Sequence, residues 1–595
     1  MKEFWKREST LAFCAFAGLF AALAAYVFWG TWGLDVTFIQ PDNGITHLPD
    51  AVARRFREFA VCGTPFVPAD LRLLLGGAYA WQELQYAFAA FVAALGVAYY
   101  LRGRGVPPSL GYGAGLAYGL MGYNFTLFSA GHLGWFNLFA CAPWAFGLID
   151  RAVRKGKWRN WALLGAVMAW ASAWQPDIWL LFACLWFAYG AYKIWSERVR
   201  GKKAWTRLLA GTALAAATML VVGVPQFRSA LTDAIAGREA QLAAVGAGKT
   251  DGAPTAESED VRWNFCVSWS LPPEDVTEFF IAGVHGDSSD PRVSPKNPYK
   301  GRIGQRIVLK KGQRGMDPVT GKPVKEGDVV WAPYRQHALY MGFVVVAMAL
   351  LGVVALFAKW ANPIFEIRGN RREAAFWTVA GVVILFCAFG DFTPFYKLIY
   401  HLPCGSSIRC PLKFVHLLEW CVAVLSGFGA MQILRLGRKG WALAIALFAF
   451  AGINLACNDR KYVATDPVDC LRVQVARETG STGLQLMTDA RTAPGGSDYV
   501  FASGQALNGN AALKEALGKG EYAAASGWAF DGRRFVRAPR EQAQFLLLKK
   551  TRPNPPPPEK ERGAPLACAL AWISIAGTVG AAAAAFSKLR RQRPK

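Results

Sequence analysis

Long apolar runs alternate with short polar segments along most of this chain. The runs are about 18 to 25 residues long, which is the length that crosses a bilayer as an α-helix. They predict membrane helices over 9–30, 78–101, 108–129, 134–150, 159–175, 177–195, 204–224, 337–358, 374–391, 412–434, 440–457 and 565–587. The pattern therefore indicates a polytopic α-helical membrane protein with about 12 transmembrane helices.

Lysine and arginine residues concentrate in the short segments between these helices. Cytoplasmic loops of membrane proteins carry an excess of these two residues. If the N-terminus is cytoplasmic, the basic clusters beside helix ends all fall inside, at 102–105, 151–159, 193–207, 359–372, 435–440 and 588–595. We therefore predict that both termini are cytoplasmic. The first apolar run shows no small-residue cleavage site, so we expect an uncleaved anchor.

Three longer polar segments are then expected on the outer face, at 31–77, 225–336 and 458–564. The first contains apolar residues at helical spacing, which predicts an amphipathic helix. The third contains short strand-like stretches, which suggest a small α/β module. We therefore predict a transmembrane domain over 1–457, an extracytoplasmic α/β module over 458–564, and a last transmembrane helix with a basic cytoplasmic tail over 565–595.

The composition agrees with a membrane location. Of the 595 residues, 53% are hydrophobic and 18% are charged, and the mean hydropathy is +0.20. Such a chain is too apolar for an ordinary soluble protein. The net charge of +25 lies in short clusters between apolar runs and forms no basic patch with interleaved aromatic residues. We therefore expect membrane lipids, and no nucleic acid, among the partners.

Polar side chains collect at the predicted outer ends of several helices. The candidates that share this position are Asp42, His47, His132, Gln175, Asp177, Arg409, Lys413 and Glu419. Asp42 and His132 are the candidates for catalysis, and the others are candidates for substrate binding. Glu419 is expected about two turns inside the membrane, where an ionisable group is costly and is by default a functional candidate.

Each candidate also has a structural explanation. The stretch around Asp42 is typical of a turn, and Asp177 is suited to cap a helix N-terminus. His132 is suited to hydrogen-bond a helix end, and Lys413 to extend its ammonium to the membrane interface. Arg409 together with Lys413 indicates a ligand more strongly, because two cations beside acidic groups can hold a phosphate or pyrophosphate.

These residue types are the minimum needed for glycosyl transfer at a membrane surface. The carboxylate would act as a general base on an acceptor hydroxyl, and the cations would stabilise a lipid-linked phosphate as the leaving group. Asp42, Asp177 and Asp391 could hold a divalent cation through oxygen ligands, although the neighbouring cations could do its work. The sequence contains no P-loop and no dinucleotide-binding GxGxxG motif.

Several cysteines are expected on or near the outer face, where disulfides are permitted. Cys404 and Cys410 are close enough in sequence to close a small loop. The spacing alone leaves two alternatives open, a disulfide and a pair of free thiols.

The segment FGDFTPFYKLIYHLPCGSSIRCPLKFVHLLEW, residues 389–420, resembles a segment of YfhO-like bacterial membrane proteins, and residues 40–56 and 129–154 are similar to further parts of them. Those proteins belong with the GT-C glycosyltransferases, polytopic enzymes that take sugars from polyprenyl-phosphate carriers on the outer side of the membrane. The resemblance implies a GT-C-like fold in the bacterial cytoplasmic membrane. It implies Asp42 as the catalytic carboxylate, with Asp50 as the alternative, and it assigns Arg409 and Lys413 to the donor.

The leading expectation is an inverting transferase that moves a sugar from a polyprenyl-phosphate carrier to an envelope glycan, lipid or protein acceptor. A transporter or flippase of a lipid-linked saccharide is one alternative, and a non-catalytic protein of envelope assembly is another. The dependence on Asp42 discriminates among them, because a flippase depends on charges that line a path across the membrane. Ile408 stands where the family has an aromatic residue, and this departure leaves the acceptor open.

Overall fold

The structure is a computed structural model and is predominantly helical. It describes residues 2–31, 36–38, 82–132, 135–172, 176–222, 256–290, 293–294, 296–308, 315–316, 323–324, 329–335, 338–358, 369–402, 405–467, 484–487, 499–530, 535–551 and 576. The chain divides into two compact units, one formed by 1–29, 83–463 and 573–595 and the other by 30–82 and 464–572.

The helices are α1 (Lys2–Val27), α2 (Gln82–Gly103), α3 (Pro108–Gly119), α4 (Gly122–Ser129), α5 (Phe136–Lys155), α6 (Trp158–Ala171), α7 (Pro176–Ser196), α8 (Lys202–Val222), α9 (Ala256–Val267), α10 (Phe343–Val354), α11 (Asn370–Ala388), α12 (Phe395–Tyr400), α13 (Val415–Ile433), α14 (Gly437–Arg460), α15 (Gly504–Gly509) and α16 (Ala511–Gly518). The strands are β1 (Val36–Phe38), β2 (Gly304–Val308), β3 (Gly315–Met316), β4 (Pro323–Val324), β5 (Val329–Pro333), β6 (Thr465–Pro467), β7 (Leu484–Met487), β8 (Tyr499–Ser503), β9 (Tyr522–Phe530), β10 (Phe535–Ala538) and β11 (Phe545–Lys550).

Five helical stretches are long and apolar enough to cross a membrane. They are Glu8–Val27, Glu83–Gly103, Asp177–Ser196, Lys202–Val222 and Pro411–Arg460. Large apolar side chains on these helices are not covered by the protein: Phe88, Phe187 and Leu209 are 67%, 81% and 65% exposed. Such a surface is costly in water and favourable against lipid. The helices are therefore those of a membrane protein, and twelve crossings stay a prediction.

The predicted helix over 108–129 is wrong in one respect, because it is two helices that break at Leu120 and Met121. The backbone groups freed at the break find other partners. The Asn124 side-chain amide donates to the carbonyl of Tyr118 at 3.0 Å, and the N–H of Gly122 donates to the carbonyl of Tyr340 at 2.9 Å. These partners stabilise a break that the continuous apolar run did not indicate.

Helix α10 is shorter than predicted. The apolar run over 337–358 is helical only from Phe343 to Val354, a length of about 18 Å. Its packing against α13 is close, because Gly352 and Gly429 bring the two backbones together. An added Cβ at Gly429 would lie 1.8 Å from the carbonyl oxygen of Met348. Small residues permit this kind of approach in membrane helix pairs.

Part of the long polar segment over 225–336 is folded in the first unit. Helix α9 leads into a 3₁₀ helix over Pro273–Phe279, and β2 pairs with β5 in antiparallel register, with Gly304 opposite Pro333 and Val308 opposite Val329. Arg335 is buried beneath this segment and forms an ion pair with Glu278 at 2.8 Å. This polar stretch therefore contains folded structure with a buried ion pair.

The second unit contains a five-stranded sheet in the order β10-β9-β11-β8-β7. Its neighbouring strands are antiparallel except β7 and β8, which are parallel. Apolar residues on one face, including Val500, Ala502 and Leu548, pack on Leu513 and Ala516 of α16. The strand-like stretches within 458–564 thus form a sheet with helices on one face. Strands β1 and β6 form a separate antiparallel pair.

The predictions for the first outer loop and for the last helix lie outside the described residues. The amphipathic helix within 31–77 belongs to this group. So does the helix over 565–587, of which Ala576 alone is described as helical.

Candidate functional site

Five side chains, three of them from predicted site residues, meet where helices α5, α7 and α13 begin. We call this set the rim cluster; its members are His132, Trp135, Asp177, Lys413 and His416. The helix starts place their positive dipole ends at the same location, and such an end favours an anion. The N-termini of the three helices therefore contribute positive potential at this location.

Asp177 and Lys413 form an ion pair across the rim cluster. Asp177 comes from the first turn of α7, where its other carboxylate oxygen accepts the backbone N–H of Ile178 at 2.8 Å. Lys413 comes from the 3₁₀ turn that leads into α13. Their side chains are 22% and 9% exposed. The pair therefore neutralises itself, and Asp177 has two structural partners before any substrate is considered.

Trp135 contacts three other members of the rim cluster, His132, Lys413 and His416. The ring of His132 stacks on it with centroids 4.4 Å apart, and the ammonium of Lys413 lies 5.4 Å from its ring centre. His416 meets the same ring edge-on at 5.9 Å, and its Nδ1 lies 3.0 Å from Oδ1 of Asn124. Sequence reasoning missed Trp135, although its position beside His132 in the same turn was a usable signal. Its ring therefore holds the imidazole of His132 and the ammonium of Lys413 against one aromatic surface.

Glu419 is fully buried below the rim cluster. Its Oε1 accepts the backbone N–H of Tyr123 at 2.9 Å, in the first turn of α4. A carboxylate at a helix N-terminus satisfies an N–H group that has no partner within the helix. The residue that was predicted to bind substrate thus caps the second half of the broken helix.

Arg409 lies on the loop just before Lys413, and we call residues 405–414 the rim loop. Its guanidinium is 5.5 Å from the ring centre of Phe265, and its charge interacts with that of Asp177. The next residue, Cys410, has a left-handed backbone with φ of 62°. This uncommon conformation redirects the chain between Arg409 and the start of α13. Arg409 therefore brings a second positive charge beside the ion pair of Asp177 and Lys413.

Asp391, the third acid considered for a divalent cation, is held by partners within the protein. It pairs with Arg306 of β2, and it accepts a hydrogen bond from Trp263 Nε1 at 3.3 Å. Asp177 and Asp391 therefore each have a cationic partner. Within the described ranges, no group of three His, Cys, Asp or Glu side chains could hold a metal ion.

Three predicted site residues lie outside the described residues: Asp42, His47 and Gln175. The structure brings the other five predicted site residues to one end of the helices. They are His132, Asp177, Arg409, Lys413 and Glu419. The meeting of Asp42 with His132 stays a prediction, as does a disulfide between Cys404 and Cys410, because Cys404 also lies outside.

Sequence reasoning also missed a buried cluster at the other end of the same helices. We call it the ion cluster; its members are Arg104, Asp150, Arg154, Lys193, Glu197 and Glu373. Asp150 accepts from Arg104 at 2.8 Å and is 3.1 Å from Lys193. Glu373 accepts from the hydroxyl of Tyr100 at 2.7 Å. The signal in the sequence was two acidic residues, Asp150 and Glu373, inside or beside strongly basic loops.

Searches of family models, curated proteins and solved structures give no match to this chain. The fold and the site therefore define a class only, a helical membrane protein with charged and aromatic side chains gathered at one end of its helices. The likeness to YfhO-like and GT-C proteins is an expectation from the sequence.

Proposed function

We propose that this protein is a GT-C-type membrane glycosyltransferase. It would move a sugar from a polyprenyl-phosphate carrier to an envelope acceptor on the outer face of the bacterial cytoplasmic membrane. The proposal includes twelve crossings, with both termini in the cytoplasm. The observation that carries it is the gathering of Arg409, Lys413 and three helix N-termini at one end of the helices.

In this proposal, the rim binds the lipid-linked phosphate. Arg409 contacts the phosphate directly, because its planar guanidinium can donate two parallel hydrogen bonds. Lys413 keeps its ion pair with Asp177 and has two further N–H donors for the leaving group. The dipoles of α5, α7 and α13 act in the same direction. The departing phosphate carries its own negative charge, so it needs electrostatic stabilisation and no proton.

The general base of the proposal is Asp42, in the first outer loop. It would remove the proton of the acceptor hydroxyl as that oxygen attacks the anomeric carbon. His132, stacked on Trp135, is suited to hold the acceptor hydroxyl in position. Asp177 is poorly suited to be the base, because Lys413 stabilises its charged form.

The test is transfer by the purified full-length chain in detergent, with a polyprenyl-phosphate sugar and product analysis. Asp42→Asn keeps the shape of the side chain and removes the base, so we expect a rate loss of about 10²–10⁴-fold. Donor binding should be nearly unchanged. Asp50→Asn is the matched control in the same loop and should cost far less.

The result that would overturn the proposal is full activity in Asp42→Asn. Loss of activity in Asp50→Asn alone would move the base to Asp50. If deletion of the chain makes lipid-linked saccharide accumulate on the cytoplasmic side, and the purified chain transfers no sugar, the protein is instead a flippase.

A further inference from the structure

Two cysteines that are far apart in sequence lie close together at the rim loop. Cys266 lies in the last turn of α9, and Cys410 follows Arg409 in the rim loop. The backbone N–H of Cys410 donates to the carbonyl oxygen of Cys266 at 3.1 Å. The Sγ atom of Cys266 lies 3.2 Å from the carbonyl oxygen of Ser406, so this thiol points at the rim loop.

This geometry fits a disulfide. With standard bond lengths, one hydrogen bond of this kind holds the two Cα atoms within about 7 Å of each other, which is the limit for a disulfide. Both side chains are thiols in this structure. We propose that Cys266 and Cys410 form a disulfide in the mature protein, in place of the loop between Cys404 and Cys410 that the sequence spacing suggested.

The oxidation needs a partner from outside the chain. An oxidising protein disulfide exchanges with the two thiols, so that one S–S bond forms between Cys266 and Cys410 while its own S–S bond is reduced to two thiols. The two electrons and both protons pass to that partner. The inference rests on the outward topology of the proposed function, since disulfides persist on that side of the membrane and not in the cytosol.

The bond would link the rim loop covalently to the segment 225–336, which contains α9. The two already touch at a second point, where the backbone N–H of Leu412 donates to the carbonyl of Trp269 at 3.1 Å. Phe265, one residue before Cys266, packs against Arg409. A covalent link beside these contacts holds Arg409 and Lys413 at a fixed separation from α9, which preorganises the cations of the rim.

The sequence allows a direct test, because trypsin separates the three relevant cysteines. It cleaves after Arg262, Arg292, Lys397, Arg409 and Lys413. Cys266 is then in peptide 263–292, Cys404 in 398–409 and Cys410 in 410–413. The full chain is taken from membranes, denatured in an excess of N-ethylmaleimide, digested, and examined by mass spectrometry with and without a reductant.

We expect a linked pair of peptides, 263–292 with 410–413, two hydrogens lighter than their sum and absent after reduction. Cys404→Ser is the matched control and should leave this pair intact. Cys410→Ser should abolish it and leave Cys266 alkylated. The inference is overturned if Cys266 and Cys410 are both alkylated without reduction, or if 398–409 is the partner of 410–413. The readout needs no donor, so it is scored separately from transfer activity.

Discussion

The rim cluster and the ion cluster lie at opposite ends of the same two helices, α5 and α7. Each helix is 20 or 21 residues long, which is about 30 Å and matches the hydrocarbon thickness of a bilayer. At the rim the helices begin, and their dipoles favour anions. At the ion cluster they end, and their dipoles favour the cations Arg104, Arg154 and Lys193.

The two clusters differ in the number of their ion pairs and in the burial of their innermost side chains. In the ion cluster three cations face three acids, and the side chains of Arg104, Lys193 and Glu373 are each 1% exposed. At the rim Asp177 pairs with Lys413, and Arg409 adds a second cation beside them. Ion pairs that are fully buried fasten helices together, whereas partly exposed charges at helix N-termini are suited to a ligand. The innermost side chains of the ion cluster are therefore expected to stabilise the fold, while the rim keeps Asp177 22% exposed.

The largest expected effect comes from the ion cluster. Glu373→Gln keeps the shape of the side chain but leaves Arg104 and Lys193 short of one negative charge in a buried site. We expect a loss of about 3–5 kcal/mol in the free energy of unfolding. The measurement is the fraction of monodisperse protein after heating or denaturant treatment in detergent.

The matched control for that change is Glu197→Gln. Glu197 pairs with the same Lys193 at 2.9 Å, but its side chain is 33% exposed, so its removal should cost less than about 1 kcal/mol. Equal losses in the two variants would contradict the view that burial decides how much a lost charge costs.

The second effect concerns ligand binding at the rim. Arg409→Ala removes a charge-assisted contact worth about 1.5–3 kcal/mol, which corresponds to a loss of roughly 10- to 150-fold in donor affinity. Arg409→Lys should recover only part, because lysine lacks the planar fork. Binding of a polyprenyl-phosphate sugar to purified protein gives the measurement. Lys397→Ala, which removes another cation, beside Trp263, is the control. Wild-type affinity in Arg409→Ala would mean that Arg409 only anchors the rim loop on Phe265.

A third experiment measures the coupling of Asp177 with Lys413. A double-mutant cycle with Asp177→Asn and Lys413→Gln should give a coupling of about 1 kcal/mol in stability, because each single change leaves a mostly buried partner unpaired. Donor affinity should hold or increase in Asp177→Asn, since Lys413 is then free to face the phosphate. A loss of catalysis beyond about 10²-fold in that variant would instead identify Asp177 as the base.

The smallest expected effect is a pH dependence of stability that comes from Asp275, in the 3₁₀ helix of the segment 225–336. This carboxyl is buried, and its partners compensate its charge only in part. Burial raises the pKa of the Asp275 carboxyl, against the lowering by Tyr299 and Arg335. Its folded pKa lies above the unfolded value, so its contribution to stability is full below the unfolded pKa and is lost as pH rises through the folded pKa. The unfolding midpoint should therefore fall with rising pH, by on the order of 1 °C. Asp275→Asn should flatten this slope, and a slope that persists in the variant would assign it to another group.

The sequence by itself determined where helices form. Every described stretch that it predicted as a membrane helix contains a helix, because an apolar run of that length is locally committed to one. It placed the candidate residues at helix ends for the same reason. The break between α3 and α4 escaped it, since the break depends on Glu419 and Tyr340, which come from distant parts of the chain.

Only the tertiary structure decided which charges meet. Asp177 and Lys413 are 236 positions apart, and Tyr100 and Glu373 are 273 positions apart. Local periodicity reports how a segment folds and carries no record of its neighbours across the helix bundle. Two acidic residues that both lie in the first turn of a helix thus have different environments, because Glu373 meets two cations in a closed site and Asp177 meets one at the more exposed rim.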